Sequence, residues 1–275
     1  MAGLVIDRIG VGATVQDPGR PGRMHEGVPP GGPLVRELFL RANRSLGNDE
    51  HAAAIELPLH CAIFHARGDL TVSIDGNIRS LADGECLSIE PGTEAVHYLA
   101  VPGGIDVPEA LGSRGTLLVA AIGGHLGRIL RKGDELRALA STPTATIASS
   151  PPPLDASATI AVVRGPDFPG TDLFEQLVSR SFRISALQDR VGTRIEGAKL
   201  DRPASDRRGS FPMVRGALQV TTDGSLIALG PDHPTTGGYP VVGVIASSHI
   251  DAFARRRPGA ELRFHEARPS TQPIL

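Results

Sequence analysis

The chain has no tryptophan and two tyrosines, Tyr98 and Tyr239, and of its 28 basic residues only Lys132 and Lys199 are lysines. Without large aromatics there is no platform on which nucleic-acid bases stack. A net charge of −2 gives no electrostatic footprint for a phosphate backbone. So few lysines argue against Schiff-base chemistry, and the missing GxxxxGK[ST] excludes a P-loop. The two cysteines, Cys61 and Cys86, show neither CxxC nor zinc spacing, which reads as reduced thiols and no metal site. No stretch approaches the ~20 apolar residues of a membrane span. The N-terminus, with Asp7 close behind Met1, lacks the basic start and apolar run of a signal peptide. A cytoplasmic protein is expected, with neither nucleic acid nor membrane as partner.

Glycine and proline are plentiful instead, at 33 and 23 residues. In segment 98–136 two short apolar runs, 98–101 and 116–122, lead to the glycine pairs Gly103-Gly104 and Gly123-Gly124. Both runs read as strands whose tips need φ > 0 or close approach of a ligand or second chain. Further strands are predicted over Leu70–Ile74, Cys86–Ile89 and 217–221, each before a Gly-containing turn. Three helices are placed: one from Pro33 to Gly47, one after Thr171, and one after Ser248 with Asp251 as its capping partner. Short strands with few helices predict a mostly β protein, barrel or sandwich.

Segment 141–157, STPTATIASSPPPLDAS, builds neither ladder nor helix and reads as a linker. It separates a first β-subdomain, 1–140, from a second, 158–275. KGDELR at 132–137 and PGAELR at 258–263 end the two alike, which suggests related subdomains.

Three polar clusters are candidates for chemistry. Segment 12–30 packs eight Gly or Pro into nineteen residues, with Asp17 and Arg20 in reach of each other. Arg20 either braces this loop with Asp17 or faces a substrate carboxylate. Segment 188–197 brings Asp189, Arg190, Arg194 and Glu196 together, as an exposed charged strand or as a site whose catalytic members are Asp189 and Arg190. In segment 231–240, Asp232 and His233 form an acid–base pair. Thr235, Thr236, Gly237, Gly238 and Tyr239 follow, and their hydroxyls and bare N–H groups suit an anion. A plain turn is the alternative there. Gly123-Gly124 lacks GxGxxG spacing, so no dinucleotide site is expected.

Together these segments resemble the allophanate hydrolase subunit 2 family, also called the biotin-dependent carboxyltransferase or Kip-antagonist family, of which the 5-oxoprolinase C subunit is a member. The resemblance rests on TVQDPGRPG (14–22), GVPPGG (27–32), AAAIE (52–56), YLAVPGGIDVPEALGSRGT (98–116), GGHLGRILRKGDEL (123–136), DRVGTRIEG (189–197), GALQV (216–220) and TTGGYP (235–240). It implies two cyclophilin-like β-barrel subdomains with a few short helices. It also implies partners: a B subunit (allophanate hydrolase subunit 1-like) together with an A subunit, and a small amide or lactam as substrate. ATP would be used at the level of that complex to open 5-oxo-L-proline to L-glutamate. Two alternatives follow from the same resemblance. One is a carboxyltransferase component taking the carboxyl of carboxybiotin, which must ride on a partner because no Met-Lys site is present. The other is a non-catalytic regulator that binds a Kip-type inhibitor. Gly31, Val35, Gln188 and Val241 stand where the family commonly has Ser, Asp, Ser and Lys, and Arg215 where it has Pro. Loss of these polar groups marks a divergent member.

Overall fold

The computed structural model describes residues 2–59, 61–140, 159–165, 172–201 and 209–267. The linker expected over 141–157 lies outside them. The chain divides into two compact units, Met1–Pro153 and Leu154–Leu275.

In the first unit, β1 (Gly3–Arg8) and β2 (Thr14–Gln16) precede helix α1 (Arg36–Arg44). Strands β3 (Ala54–Pro58), β4 (Ala62–Arg67), β5 (Leu70–Ile74), β6 (Asn77–Leu81), β7 (Cys86–Ile89), β8 (Val96–Ala100) and β9 (Glu135–Arg137) follow. They form two sheets, ordered β7-β4-β1-β9 and β2-β3-β8-β5-β6. Alternation explains the core: Leu4, Ile6, Phe64, Leu87 and Leu136 of the first sheet meet Val15, Ile55, Val72 and Leu99 of the second in one cluster. The other face of the five-stranded sheet carries Tyr98, whose ring meets Phe39 of α1 edge-on at 5.8 Å.

The helix predicted from Pro33 begins three residues later. Val35 is its N-cap and is extended, with no side-chain capping bond. The N–H groups of Leu34 and Val35 instead donate to the Glu56 carboxylate at 2.8 Å and the Tyr98 hydroxyl at 3.0 Å. That hydroxyl donates in turn to Glu56 at 2.6 Å. Glu56 and Tyr98 are both fully buried, so the AAAIE segment supplies a cap from across the sheet. This is how the helix forms with Val35 where the resemblance expects Asp.

The second unit contains β10 (Thr159–Arg164), α2 (Leu173–Ser179), β11 (Ser181–Gln188), β12 (Gly192–Gly197), β13 (Phe211–Pro212), β14 (Ala217–Val220), β15 (Leu226–Leu229), β16 (Thr236–Gly237), β17 (Val241–Ile245), α3 (Ile250–Ala254) and β18 (Glu261–Glu266). Seven strands close a barrel in the order β10-β17-β14-β15-β12-β11-β18, sealed by the parallel β10–β18 pair. Ile160, Phe182, Leu218, Val220 and Phe264 fill it, together with Leu173 and Phe174 of α2 and Phe253 of α3. The similar ends of the two units share a left-handed glycine (Gly133, φ 87°; Gly259, φ 84°) and a buried leucine (Leu136, Leu262). Their pairing differs, since β9 runs antiparallel to β1 whereas β18 runs parallel to β10.

One predicted strand does not form. Run 116–122 folds on itself, with a 3₁₀ turn at Leu118–Ala120 and a bridge between Leu117 and Ile122. Ala121 is left-handed (φ 53°), which closes the turn and leaves Val119 80% exposed. Apolar composition alone does not distinguish such a turn from a strand.

Candidate functional site

In the second unit the β11–β12 turn and the segment after β15 are locked together. Arg190 donates from Nε and Nη2 to the two Asp232 oxygens at 2.8 and 2.9 Å. Both side chains are more than nine-tenths buried. The backbones repeat the lock: Asp232 N–H donates to the Arg190 carbonyl at 2.9 Å, and Gly230 N–H to that of Val191 at 2.8 Å. A Cβ on Gly230 would stand 2.3 Å from the Arg190 oxygen, so only glycine fits. A bidentate, desolvated pair of this kind is rigid and strong. It also means that Asp232 is matched to Arg190 and not to His233.

His233 is 1% exposed, and its Nδ1 lies 2.9 Å from the Pro234 carbonyl oxygen. A carbonyl only accepts, so Nδ1 carries a proton and donates it there. From there the chain enters β16. Met213 N–H donates to the Thr235 carbonyl at 3.0 Å, and Phe211 and Pro212 pair with Gly237 and Thr236. Thr236, Gly238 and Tyr239 are exposed, and Thr235 and Gly237 half-buried. The loop carries the two threonines and exposed Gly238 on a short strand braced by Phe211–Pro212, with the Gly237 backbone inside that ladder. Asp189 is turned away from it: its carboxylate accepts the Val191 and Gly192 N–H groups at 2.8 and 3.0 Å. That is an Asx turn. Strand β12 starts only at Gly192, so residues 189–191 lack the two-faced alternation expected of a strand.

Arg20 lies in the first unit, 3% exposed. Its guanidinium donates to the carbonyls of Gly115 at 2.6 Å and Ala110 at 3.4 Å, and its N–H to that of Pro30 at 2.7 Å. Asp17 accepts from Gly19 N–H at 2.9 Å, the Ser113 hydroxyl at 2.5 Å and Arg114 N–H at 2.6 Å. The two residues thus brace segment 14–22 against segment 110–115. The glycine pair at 123–124 serves the same junction. A Cβ on Gly123 would stand 2.1 Å from the Gly115 carbonyl oxygen, and one on Gly124 1.8 Å from Thr116 Oγ1. What these glycines admit is the chain itself. Further on, Asp134 accepts two bonds of 2.8 Å from Arg128. Those bonds hold the Asp134 carboxyl below its usual range against the opposing effect of burial, with the Arg131 N–H helping.

Sequence reasoning missed two polar features. Asp75 accepts from Tyr98 N–H at 2.7 Å, and its second oxygen lies 2.5 Å from His97 Nδ1, which ties the β5–β6 turn to β8. Gln219, buried in β14, lies beneath Gly237 and Met213. A glutamine inside an otherwise apolar strand was its only signal. Among the described residues, no helix is long and apolar enough to cross a membrane.

Known proteins resemble this chain over most of its length. The chain is 32% identical to a urea amidolyase of Lachancea kluyveri over 93% of its own length, but spans 16% of that protein. It is 31% identical to the C subunit of 5-oxoprolinase from Escherichia coli K12, covering 95% of this chain and 90% of that one. The structure of Kluyveromyces lactis urea carboxylase superimposes with a TM-score of 0.80 at 27% identity, over 95% of this chain and 27% of that chain. The family model described as carboxyltransferase domain, subdomain A and B, matches residues 26–266. With that match over most of its length, the chain belongs to the carboxyltransferase A and B domain family.

Proposed function

We propose that this chain is the C subunit of a 5-oxoprolinase-type enzyme. It works with an A subunit, and with an allophanate hydrolase subunit 1-like B subunit, to open 5-oxo-L-proline to L-glutamate, with ATP as co-substrate of the assembly. The observation that carries the reading is coverage. Alignment takes in 90% of the E. coli C subunit at 31% identity.

In this reading the reacting carbonyl meets the loop at 235–239. The Thr235 and Thr236 hydroxyls and the Gly238 N–H hold the developing oxyanion or a phosphate. His233 takes up a proton at Nε2. Arg190 and Asp232 hold the entry to the loop rigid, a positioning role. Arg20 and Asp189, committed to their own loops, stay outside the chemistry.

A second reading, transfer of a carboxyl from partner-borne carboxybiotin to a urea-like amide, is favoured by the family match and the urea carboxylase superposition. Substrate and inhibitor separate the two. With its A and B subunits present, the chain is expected to support ATP-dependent turnover of 5-oxoproline that avidin does not inhibit. Avidin-sensitive, bicarbonate-dependent turnover of urea, with 5-oxoproline inert, overturns the first reading in favour of the second.

A further inference from the structure

Gln219 occupies the middle of β14, where a sheet interior ordinarily takes a β-branched residue. Its neighbours Leu218 and Val220 face the barrel core. Alternation therefore turns Gln219 to the other face, against Met213 and Gly237 of the β13–β16 layer. It is 6% exposed. A primary carboxamide carries two donors and an acceptor oxygen. Among the described residues this one makes a single side-chain hydrogen bond, from Nε2 to the Met213 sulfur at 3.3 Å. A thioether is a weak acceptor, so the amide N–H groups are only lightly held.

Two further features point the same way. The β14–β17 ladder slips register between Leu218 and Gln219, so that Gln219 pairs with Val241, two residues beyond the 235–239 loop. Such irregularities re-aim side chains next to sites. Gly237 faces the amide with no side chain of its own. A Cβ there would stand 2.7 Å from Gln219 Nε2 and 3.2 Å from Met213 Cγ and Sδ.

We propose that Gln219 reads the amide of the substrate, pairing edge to edge with an amide held cis. Nε2 donates to the substrate carbonyl and Oε1 accepts the substrate N–H. Lactams and ureas present both groups on one edge; esters lack the N–H, and open-chain trans amides point it away. The inference rests on the reading of the 235–239 loop as the substrate site. It adds the residue that selects a cis amide.

The test compares binding of 5-oxo-L-proline with that of its lactone counterpart, in which the ring N–H is replaced by oxygen. Binding is followed by ligand-observed NMR on the full chain with the A and B subunits. The wild type is expected to prefer the lactam by roughly tenfold or more. Gln219→Met, close in volume, is expected to bring the preference within about twofold. Gly237→Ala should do the same by displacing the carboxamide, and it serves where the first variant fails to fold. A folded variant of either kind that keeps the wild-type preference overturns the inference and leaves the site reading intact. A wild type that binds neither compound overturns both.

Discussion

Breaking the Arg190–Asp232 pair from either side should destabilise the second unit, and removing both charges together should cost far less than the two losses added. Both side chains are more than nine-tenths buried and share two bonds of 2.8 and 2.9 Å. Asp232→Leu leaves a buried guanidinium with two donors deprived of their acceptors, a loss of about 3–5 kcal/mol. That is a large fraction of the roughly 5–15 kcal/mol that holds a domain together. Arg190→Met leaves a buried carboxylate and should cost a similar amount. The double variant Arg190→Met with Asp232→Leu removes both charges and replaces them with apolar groups, so its cost should fall well below the sum. A coupling of at least about 2 kcal/mol is expected. Arg190 also has contacts beyond Asp232, but these enter both legs of the cycle and cancel. Urea unfolding of the four proteins, followed by circular dichroism, gives the cycle directly. Additive single costs would refute the account of the pair as a desolvated lock.

Three more outcomes follow from the first unit. Gly124→Ala puts a Cβ 1.8 Å from Thr116 Oγ1 at φ 53° and should cost about 2–4 kcal/mol. Gly112→Ala, at φ 80° with open space around it, should cost only about 1 kcal/mol; equal thermal shifts would count against the close-approach argument. Tyr98→Phe removes a donor to Glu56 and an acceptor for Val35 N–H. It should cost about 2 kcal/mol by denaturant melts, and a neutral result would mean that α1 does not depend on this cap. Asp134→Asn tests the carboxyl that Arg128 holds below its usual range. A lowered folded pKa stabilises above the unfolded value and is lost as pH falls through the folded one. The wild-type advantage over Asn should therefore be constant above about pH 5 and shrink below about pH 4; an advantage that grows on acidification would contradict it.

Much of the architecture was legible in the residues because local chemistry fixed it. Strands β5 and β7 end where predicted, at Ile74 and Ile89. Each is followed by a glycine turn that no helix or ladder continues. The segment around Arg190 and Asp232 was singled out from its density of charge and glycine. Their pairing was not, because the partners lie 42 positions apart and only the barrel brings them together. The same holds for Arg20, whose carbonyl partners are 90 and 95 residues away, and for Gln219, which reads as an ordinary strand residue until Gly237 is laid over it. Run 116–122 misled for another reason: Leu118 and Val119 are turned outward in a tight turn while Leu117 is buried, a pattern periodicity does not separate from a strand.

The most direct test of the central claim is the yield of L-glutamate and ADP from 5-oxo-L-proline and ATP in a mixture of the A and B subunits, with and without this chain. The account predicts product only when all three are present, and its loss on Thr235→Val with Thr236→Val in a chain that still folds. Full turnover without this chain, or none with it, would contradict the account.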